Sequence, residues 1–496
     1  MYYYVLLPLK LDWVPLYHSQ TELRIGQRVQ VTFAHREYMG IIYMEAAQTH
    51  DMHGKVILDI TQTYGEEVPD VSANELKFWE FISQYYLCTL GQVYAAAYPK
   101  YKRDSELPPK RKRKITPLPE PLRFDSEDDA ASNMTKPMLY IGKNAPQYYI
   151  PYIDRTLQNG QTVLVLVPEL GFAQGFVDDF KTRYGQNMLV YSSSSTSGDK
   201  RKALLGARDR NPLLIVGGRS ALFLPFSNLG LIIVDQEQDP SYKQFEPAPR
   251  YNARDMAAVL ASIHGAGMLL GCITPSLESW YNCMTGKFLL TLASDCNNLT
   301  DLVMVEIPAE RKKRGMQGEF SAKAFEAIRR TDGVVRIIRS YTSEEEVRSA
   351  IGAVFHDREF VVQTFHAAKK DSADYALTLV LNAEAAFDKE DFRSDEHVLQ
   401  VMRLVAEHSQ KLVVQCESAN RPLYRAINDI SFLNQLLEER RAFGFPPFGR
   451  LVNILDPKTG TVVKQVILAK DASMPEQKRK LQVQYGSLYT IDVDPQ

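Results

Sequence analysis

Residues 217–279 read GGRSALFLPFSNLGLIIVDQEQDPSYKQFEPAPRYNARDMAAVLASIHGAGMLLGCITPSLES. An apolar run, Leu229 to Val234, ends in Asp235, and a second, Met268 to Leu270, ends in Gly271-Cys272-Ile273-Thr274-Pro275-Ser276. Short apolar runs of this kind read as strands buried on both faces of a parallel sheet. Such a strand brings a carboxylate to the carboxyl edge of the sheet, where open α/β folds bind phosphates.

Working outward, Val163 to Val167 and Leu213 to Val216 are further buried strands, with helical segments between them. A second alternating run begins near Gly333, with strands at Val334–Ile338, Phe360–Val362, Leu377–Leu381 and Leu412–Val414. The pattern predicts two tandem α/β lobes, each an open parallel sheet, over 136–300 and 301–430. Residues 1–103 instead carry short strand signals (Arg28–Phe33, Gly40–Tyr43, Lys55–Leu58) and then one helical stretch, Glu75 to Tyr94. This predicts a small β-rich domain closed by a helix. Residues 431–496 hold one helix, Leu433 to Arg441, a Pro446-Pro447 break and a short β-rich tail, a shortened α+β domain.

Between the first two parts, 104–135 reads as a linker. Pro108, Pro109, Pro117, Pro119 and Pro121 block helix and sheet interior. A basic run, Lys110 to Lys114, and an acidic run, Asp125 to Asp129, flank them. The basic run reads either as a solvated linker or as a phosphate contact.

The net charge is −2, so any nucleic-acid surface must be a local patch. Five cysteines without a C-x-x-C pair support neither a zinc site nor a disulfide framework, and read as buried thiols. The opening MYYYVLLPLKLDW lacks a basic leader and reads as a strand. No window approaches a membrane span, and a cytoplasmic protein with no membrane partner is the expectation.

The segment GGRSALFLPFSNLGLIIVDQEQDPSYKQFEPAPRYNARD resembles the pattern G-T-R-S-A-L-F-x-P-F-x-N-L-G-L-I-I-V-D-E-E-H-D-x-S-Y-K-Q of the PriA (primosomal protein N′) family of replication-restart helicases. Val167-Pro168-Glu169-Leu170, Asp391-Phe392-Arg393-Ser394, Glu439-Arg440-Arg441, Pro446-Pro447-Phe448 and Asp492-Val493-Asp494-Pro495 match further family segments, in order along the chain. The resemblance implies a pair of RecA-like motor lobes behind a module that binds the 3′ end of a DNA strand.

The same alignment implies degraded chemistry. The family's phosphate loop falls on Leu139 to Pro146, so its lysine becomes Ala145 and its threonine Pro146. Those groups would neutralise the terminal phosphates and hold Mg²⁺. Gly142, Lys143, Ala145 and Pro146 are therefore the remains of an ATP loop, with Pro146 suited to open a helix and Lys143 two residues early. The family's Asp-Glu-Glu-His becomes Asp235-Gln236-Glu237-Gln238, leaving Asp235 and Glu237 as vestigial carboxylates; Gln236 cannot take a proton from water. The second lobe's arginine-finger segment falls on Leu404 to Lys411, so His408 and Lys411 replace two arginines. One such arginine contributes about 10³–10⁵ in rate. The family's eight-cysteine zinc insertion is missing, since Arg339-Ser340-Tyr341 runs straight into Glu344, and the linker stands in place of a winged helix.

These implications predict a replication-restart protein that binds branched or single-stranded DNA, or helicase-loading partners, without ATPase activity and with no cofactor or zinc. A slow ATP-dependent 3′–5′ helicase using ATP and Mg²⁺, and a scaffold binding neither ATP nor DNA, are the alternatives. Arg219 and Ser220 of the 217–220 turn, the aromatic and basic loop with Tyr242, Lys243, Arg250, Tyr251 and Arg254, and Tyr17 near the first strand are the candidate DNA contacts. Pro15-Leu16-Tyr17 replaces the family's Phe-Asp-Tyr, which removes an aspartate from the 3′-end pocket.

Overall fold

A computed structural model describes residues 1–46, 57–64, 68–98, 116–124, 134–168, 174–356, 358–386, 391–486 and 488–496. The basic run at 110–114, the acidic run at 125–129 and Glu169-Leu170 lie outside the described residues.

The first part is a six-stranded sheet of β1 (Tyr2–Leu6), β2 (Leu16–His18), β3 (Arg28–Phe33), β4 (Arg36–Glu45), β5 (Leu58–Asp59) and β6 (Gln62–Thr63), in the order β5-β2-β1-β4-β3-β6. Two helices follow, Ala73–Tyr86 and Leu90–Ala97, rather than the single expected one. Leu87 takes a left-handed conformation (φ 55°) and Thr89 then caps a new helix by accepting from Gln92 N–H. A capping hydroxyl inside an otherwise helical pattern was the signal for the break. Trp79 sits at the centre of these helices against Tyr94 and Tyr98. Phe78 against Phe223, and Arg208 donating to the Tyr98 hydroxyl (2.7 Å), fasten this part to the first lobe.

The first lobe is a seven-stranded sheet: β7 (Met138–Ile141), β8 (Thr162–Leu166), β9 (Met188–Tyr191), β10 (Leu214–Gly217), β11 (Leu229–Asp235), β12 (Gly267–Cys272) and β13 (Leu289–Leu292). Their order is β13-β7-β12-β11-β8-β10-β9, with every pairing parallel. The second lobe has β14 (Asp301–Glu306), a small hairpin of β15 (Met316–Gln317) and β16 (Phe320–Ser321), then β17 (Val335–Arg339), β18 (Phe360–Thr364), β19 (Tyr375–Val380) and β20 (Ser409–Cys416). Its main sheet runs β14-β20-β19-β17-β18, again wholly parallel. The two tandem parallel-sheet lobes expected from the apolar runs are thus present. The tail forms an antiparallel sheet of β21 (Gly449–Leu455), β22 (Val462–Ala469) and β23 (Thr490–Val493) with the helix Met474–Tyr485.

Residues 116–124 of the Pro-rich linker lie along the first lobe. Asn187 donates to the Thr116 carbonyl, Arg183 to the Glu120 carbonyl, and Leu122 N–H to Asp154. Phe124 packs edge-on to Tyr152 under Arg155. Among the described residues no helix is long and apolar enough to cross a membrane, and no group of His, Cys, Asp and Glu side chains has the makings of a metal site. Four of the five cysteines are buried and Cys88 is half-buried.

Candidate nucleotide and nucleic-acid sites

The loop after β7 turns tightly and a helix, Ala145–Gln158, begins at Ala145. Pro146 is the second helical residue, not the first as expected; first-turn amides lack an intrahelical partner, so proline costs nothing there. Asn144 enters the helix in a left-handed conformation and gives no side-chain cap. A different group meets this helix start. Glu407, at the end of the Ser394–Glu407 helix of the second lobe, lies near enough to the Asn144 backbone amide for that amide to favour its ionised form. Burial pushes the Glu407 carboxyl upward, while His408, that amide and Lys143 draw it down. Lys143 is turned to its own lobe, donating to the Leu299 carbonyl at 3.0 Å.

Asp235 ends β11 at the carboxyl edge. Its Oδ1 accepts from the hydroxyl of Tyr149, 2.7 Å away and fully buried. Gly271 on β12 makes room: a Cβ there would lie 1.8 Å from the Tyr149 hydroxyl oxygen. Burial, with Glu407 adding repulsion, pushes the Asp235 carboxyl up to about 6 against the pull of the Tyr149 bond. Glu237 points elsewhere. It accepts from Ser276 N–H (2.6 Å), the hydroxyls of Ser276 and Ser279 (2.9 Å each) and Arg254 (3.2 Å).

An ATP–Mg²⁺ group does not fit these residues. Ala145 and Pro146 supply neither the lysine nor the hydroxyl, Lys143 is turned to the Leu299 carbonyl, a carboxyl lies near the helix start where phosphate charge would go, and Asp235 is bonded to a buried tyrosine. Two negative groups at one helix start repel. In the second lobe, His408 faces Asp374 (3.1 Å) and Lys411 faces Asp301 (3.3 Å), so both bind within their own lobe.

Five of the candidate DNA contacts are corrected by burial. Tyr242 is 0% exposed and donates to the carbonyls of Leu166 and Asp235. Lys243, also buried, bonds Asp492 (2.8 Å) and the carbonyls of Arg250 and Val493 (2.6 Å each), riveting the loop to β23. Tyr251 packs edge-on to Phe223, and Arg254 is shared among Glu237, Asp255 and Ser276. Tyr17 lies in the first domain's core, its hydroxyl on the Thr32 carbonyl, and burial pushes it up to about 12. These amphipathic side chains found protein partners, which composition alone cannot distinguish from DNA. What stays at the surface is Ser220, Arg219 (donating to the Lys243 carbonyl), Arg250 (paired with Glu246 at 2.9 Å) and Phe245, 53% exposed. Phe245 belongs to the aromatic and basic loop whose composition suits base stacking, and lies at its tip before Glu246-Pro247.

The lobes are joined by a buried polar interface that the sequence reading missed. Arg403, with no exposed surface, reaches from the second lobe to Thr274 Oγ1 (2.9 Å) and the carbonyls of Ile273 and Cys296, besides Ile427 in its own lobe. Glu396 accepts from Leu277 N–H (2.9 Å) and from Arg440 (2.6 Å), and Arg393 pairs with Glu278 (3.1 Å). The Gly271–Ser276 turn that closes the opening segment is therefore gripped by the other lobe.

The fold defines a class: an α/β protein with two wholly parallel main sheets in tandem behind a β-rich first domain. The family described as the PriA 3′DNA-binding domain (3′BD) matches residues 4–99. The chain is 30% identical over 320 residues to the replication restart protein PriA of Rickettsia felis, covering 62% of this chain and 48% of that protein. Against the replication restart protein PriA of Haemophilus influenzae it is 39% identical over 189 residues, 38% of this chain and 26% of that one. The chain is similar to these replication restart proteins, and it spans at most about half their length. Among solved structures it is similar to RecG bound to a three-way DNA junction (TM-score 0.35, 12% identity, 63% of this chain and 42% of that one).

Proposed function

We propose that this chain is a DNA-binding protein of replication restart that engages branched or single-stranded DNA without hydrolysing ATP. Similarity to replication restart proteins and the match of residues 4–99 to a 3′DNA-binding domain support the restart and DNA parts of the reading. The observation that carries the nucleotide-independent part is the pairing of Asp235 with Tyr149 beside the Glu407 carboxylate. A motor lobe needs that aspartate free for Mg²⁺ and that helix start free for phosphate. The buried Arg403 interface further supports lobes that hold one arrangement rather than open and close.

The test is binding of forked DNA by the purified chain, with and without ATP–Mg²⁺, alongside calorimetry with nucleotide alone. Fork affinity unchanged by nucleotide, and no heat with nucleotide, is the expected result. DNA-stimulated ATP turnover abolished by Asp235→Ala would restore the helicase reading. Absence of fork binding at low salt would leave a protein scaffold.

A further inference from the structure

The C-terminal sheet has the order β22-β21-β23, and its two edges differ. The β23 edge is taken, because the Lys243 ammonium donates to the Val493 carbonyl at 2.6 Å. Along β22 no strand of the described residues pairs with the outer side. Among those residues β22 is also the longest edge strand, with 8 residues, while the other sheet edges are strands of 2 to 6.

An open row of backbone N–H and C=O groups is a template for a further strand, and proteins blunt it with proline, charges or a bulge. β22 reads VVKQVILA, with no proline and a single charge, Lys464. Its bulge lies at one end, at Val463, where the register with β21 passes from Lys464 to Val462. From there Lys464 to Ala469 runs regularly against Ile454 to Gly449. Side chains alternate between the two faces. Lys464 reaches the Tyr485 hydroxyl at 3.3 Å and Leu468 is buried, so Lys464, Val466 and Leu468 lie on the face that carries the Met474–Tyr485 helix. Gln465 and Ile467 lie on the open face, where Ile467 stays 43% exposed.

We propose that this edge pairs with the same edge of a second copy of the chain, antiparallel about a two-fold axis, joining two C-terminal sheets into one. A two-fold interface sets one surface against itself, so its register must be self-complementary. Centring it on Ile467 would set Lys464 against Lys470 of the second copy, and centring it on Gln465 would bring the bulge at Val463 against Ile467. Centring it on Val466 avoids both. Lys464 then meets Leu468 of the second copy, Ile467 meets Gln465, and no charge faces its like. The edge carries its own complement, which is why the occupant is a second copy. One added strand pairing buries less than a standard interface, so the dimer is concentration-dependent. It needs no DNA and stands apart from the DNA-binding reading.

Sedimentation velocity of the full chain from about 1 to 100 µM should pass from the mass of one chain to that of two. Gln465→Glu with Ile467→Glu sets like charges opposite one another on both sides of the axis, as does Gln465→Lys with Ile467→Lys. Each pair of changes should weaken the dimer about 100-fold or more. Both positions are exposed, and the bond from Gln465 to Asn453 (3.0 Å) is at the surface, so each variant should melt close to the wild type. Mixed in equal amounts, the acidic and basic variants should dimerise again, which a folding defect would not allow. A wild-type chain that stays monomeric would overturn the second copy and leave the edge to a strand from another protein. A dimer that both variants keep, or open-ended aggregates in its place, would overturn the two-fold pairing of β22.

Discussion

The Tyr149 hydroxyl donates to Asp235 Oδ1 at 2.7 Å, and the glycine at 271 leaves the space in which it does so. A tyrosine of the Ala145–Gln158 helix is thereby bonded to the carboxylate that ends β11. Tyr149→Phe leaves Asp235 buried without its donor, at a cost of about 1–3 kcal/mol. Urea denaturation at neutral pH measures the loss, and calorimetry with ATP–Mg²⁺ is expected to stay flat, because Glu407 still stands at the helix start.

Asp235 also sets a pH dependence. Its carboxyl is raised from 3.8 to about 6 in the folded chain, so the folded state holds a proton that the unfolded state has lost. The contribution to stability is complete below about 3.8 and is lost as pH rises through about 6. Asp235→Asn keeps an acceptor for Tyr149 and removes the titration. The variant should show a flatter stability profile between pH 4 and 6, and a gain of about 1–3 kcal/mol near pH 8. A profile between those limits identical to the wild type would refute this assignment.

Arg403 is the residue whose loss should uncouple the lobes. Its buried guanidinium donates to four protein acceptors, three of them in the first lobe. Arg403→Ala leaves those acceptors dry and unpaired, a penalty of about 3–5 kcal/mol. Arg403→Lys lacks the planar fork and should recover little. Scanning calorimetry should turn one transition into two as the lobes melt separately.

The parallel sheets were legible because strands buried on both faces are written as local apolar runs, from Val163–Val167 to Leu412–Val414. The missing loop lysine and Gln236 were legible too, since an absent functional group needs no geometry. The replacements were not. Tyr149 and Asp235 are 86 residues apart, and Lys243 and Val493 are 250 apart. A mixed aromatic and basic loop has the same composition whether it grips DNA or its own backbone. Only the register of β23 beside that loop decides that Lys243 is internal.

That distinction yields a paired test of the DNA surface. Arg219 keeps exposed surface on the turn after β10, while Lys243 is sealed against Asp492. If the turn touches phosphate, Arg219→Ala should weaken fork binding evenly across sequences and lower the salt slope by about 1. Its melting temperature should barely move, since it gives up one partly exposed hydrogen bond to the Lys243 carbonyl. Lys243→Ala should do the reverse. It strands the buried Asp492 and two carbonyls, so the loop and C-terminal sheet should separate, with a stability loss of about 3–5 kcal/mol. Its salt slope should remain that of the wild type in whatever fraction stays folded. A lowered salt slope for Lys243→Ala, with full stability, would mean that the loop opens to DNA and that the packing against β23 gives way on binding.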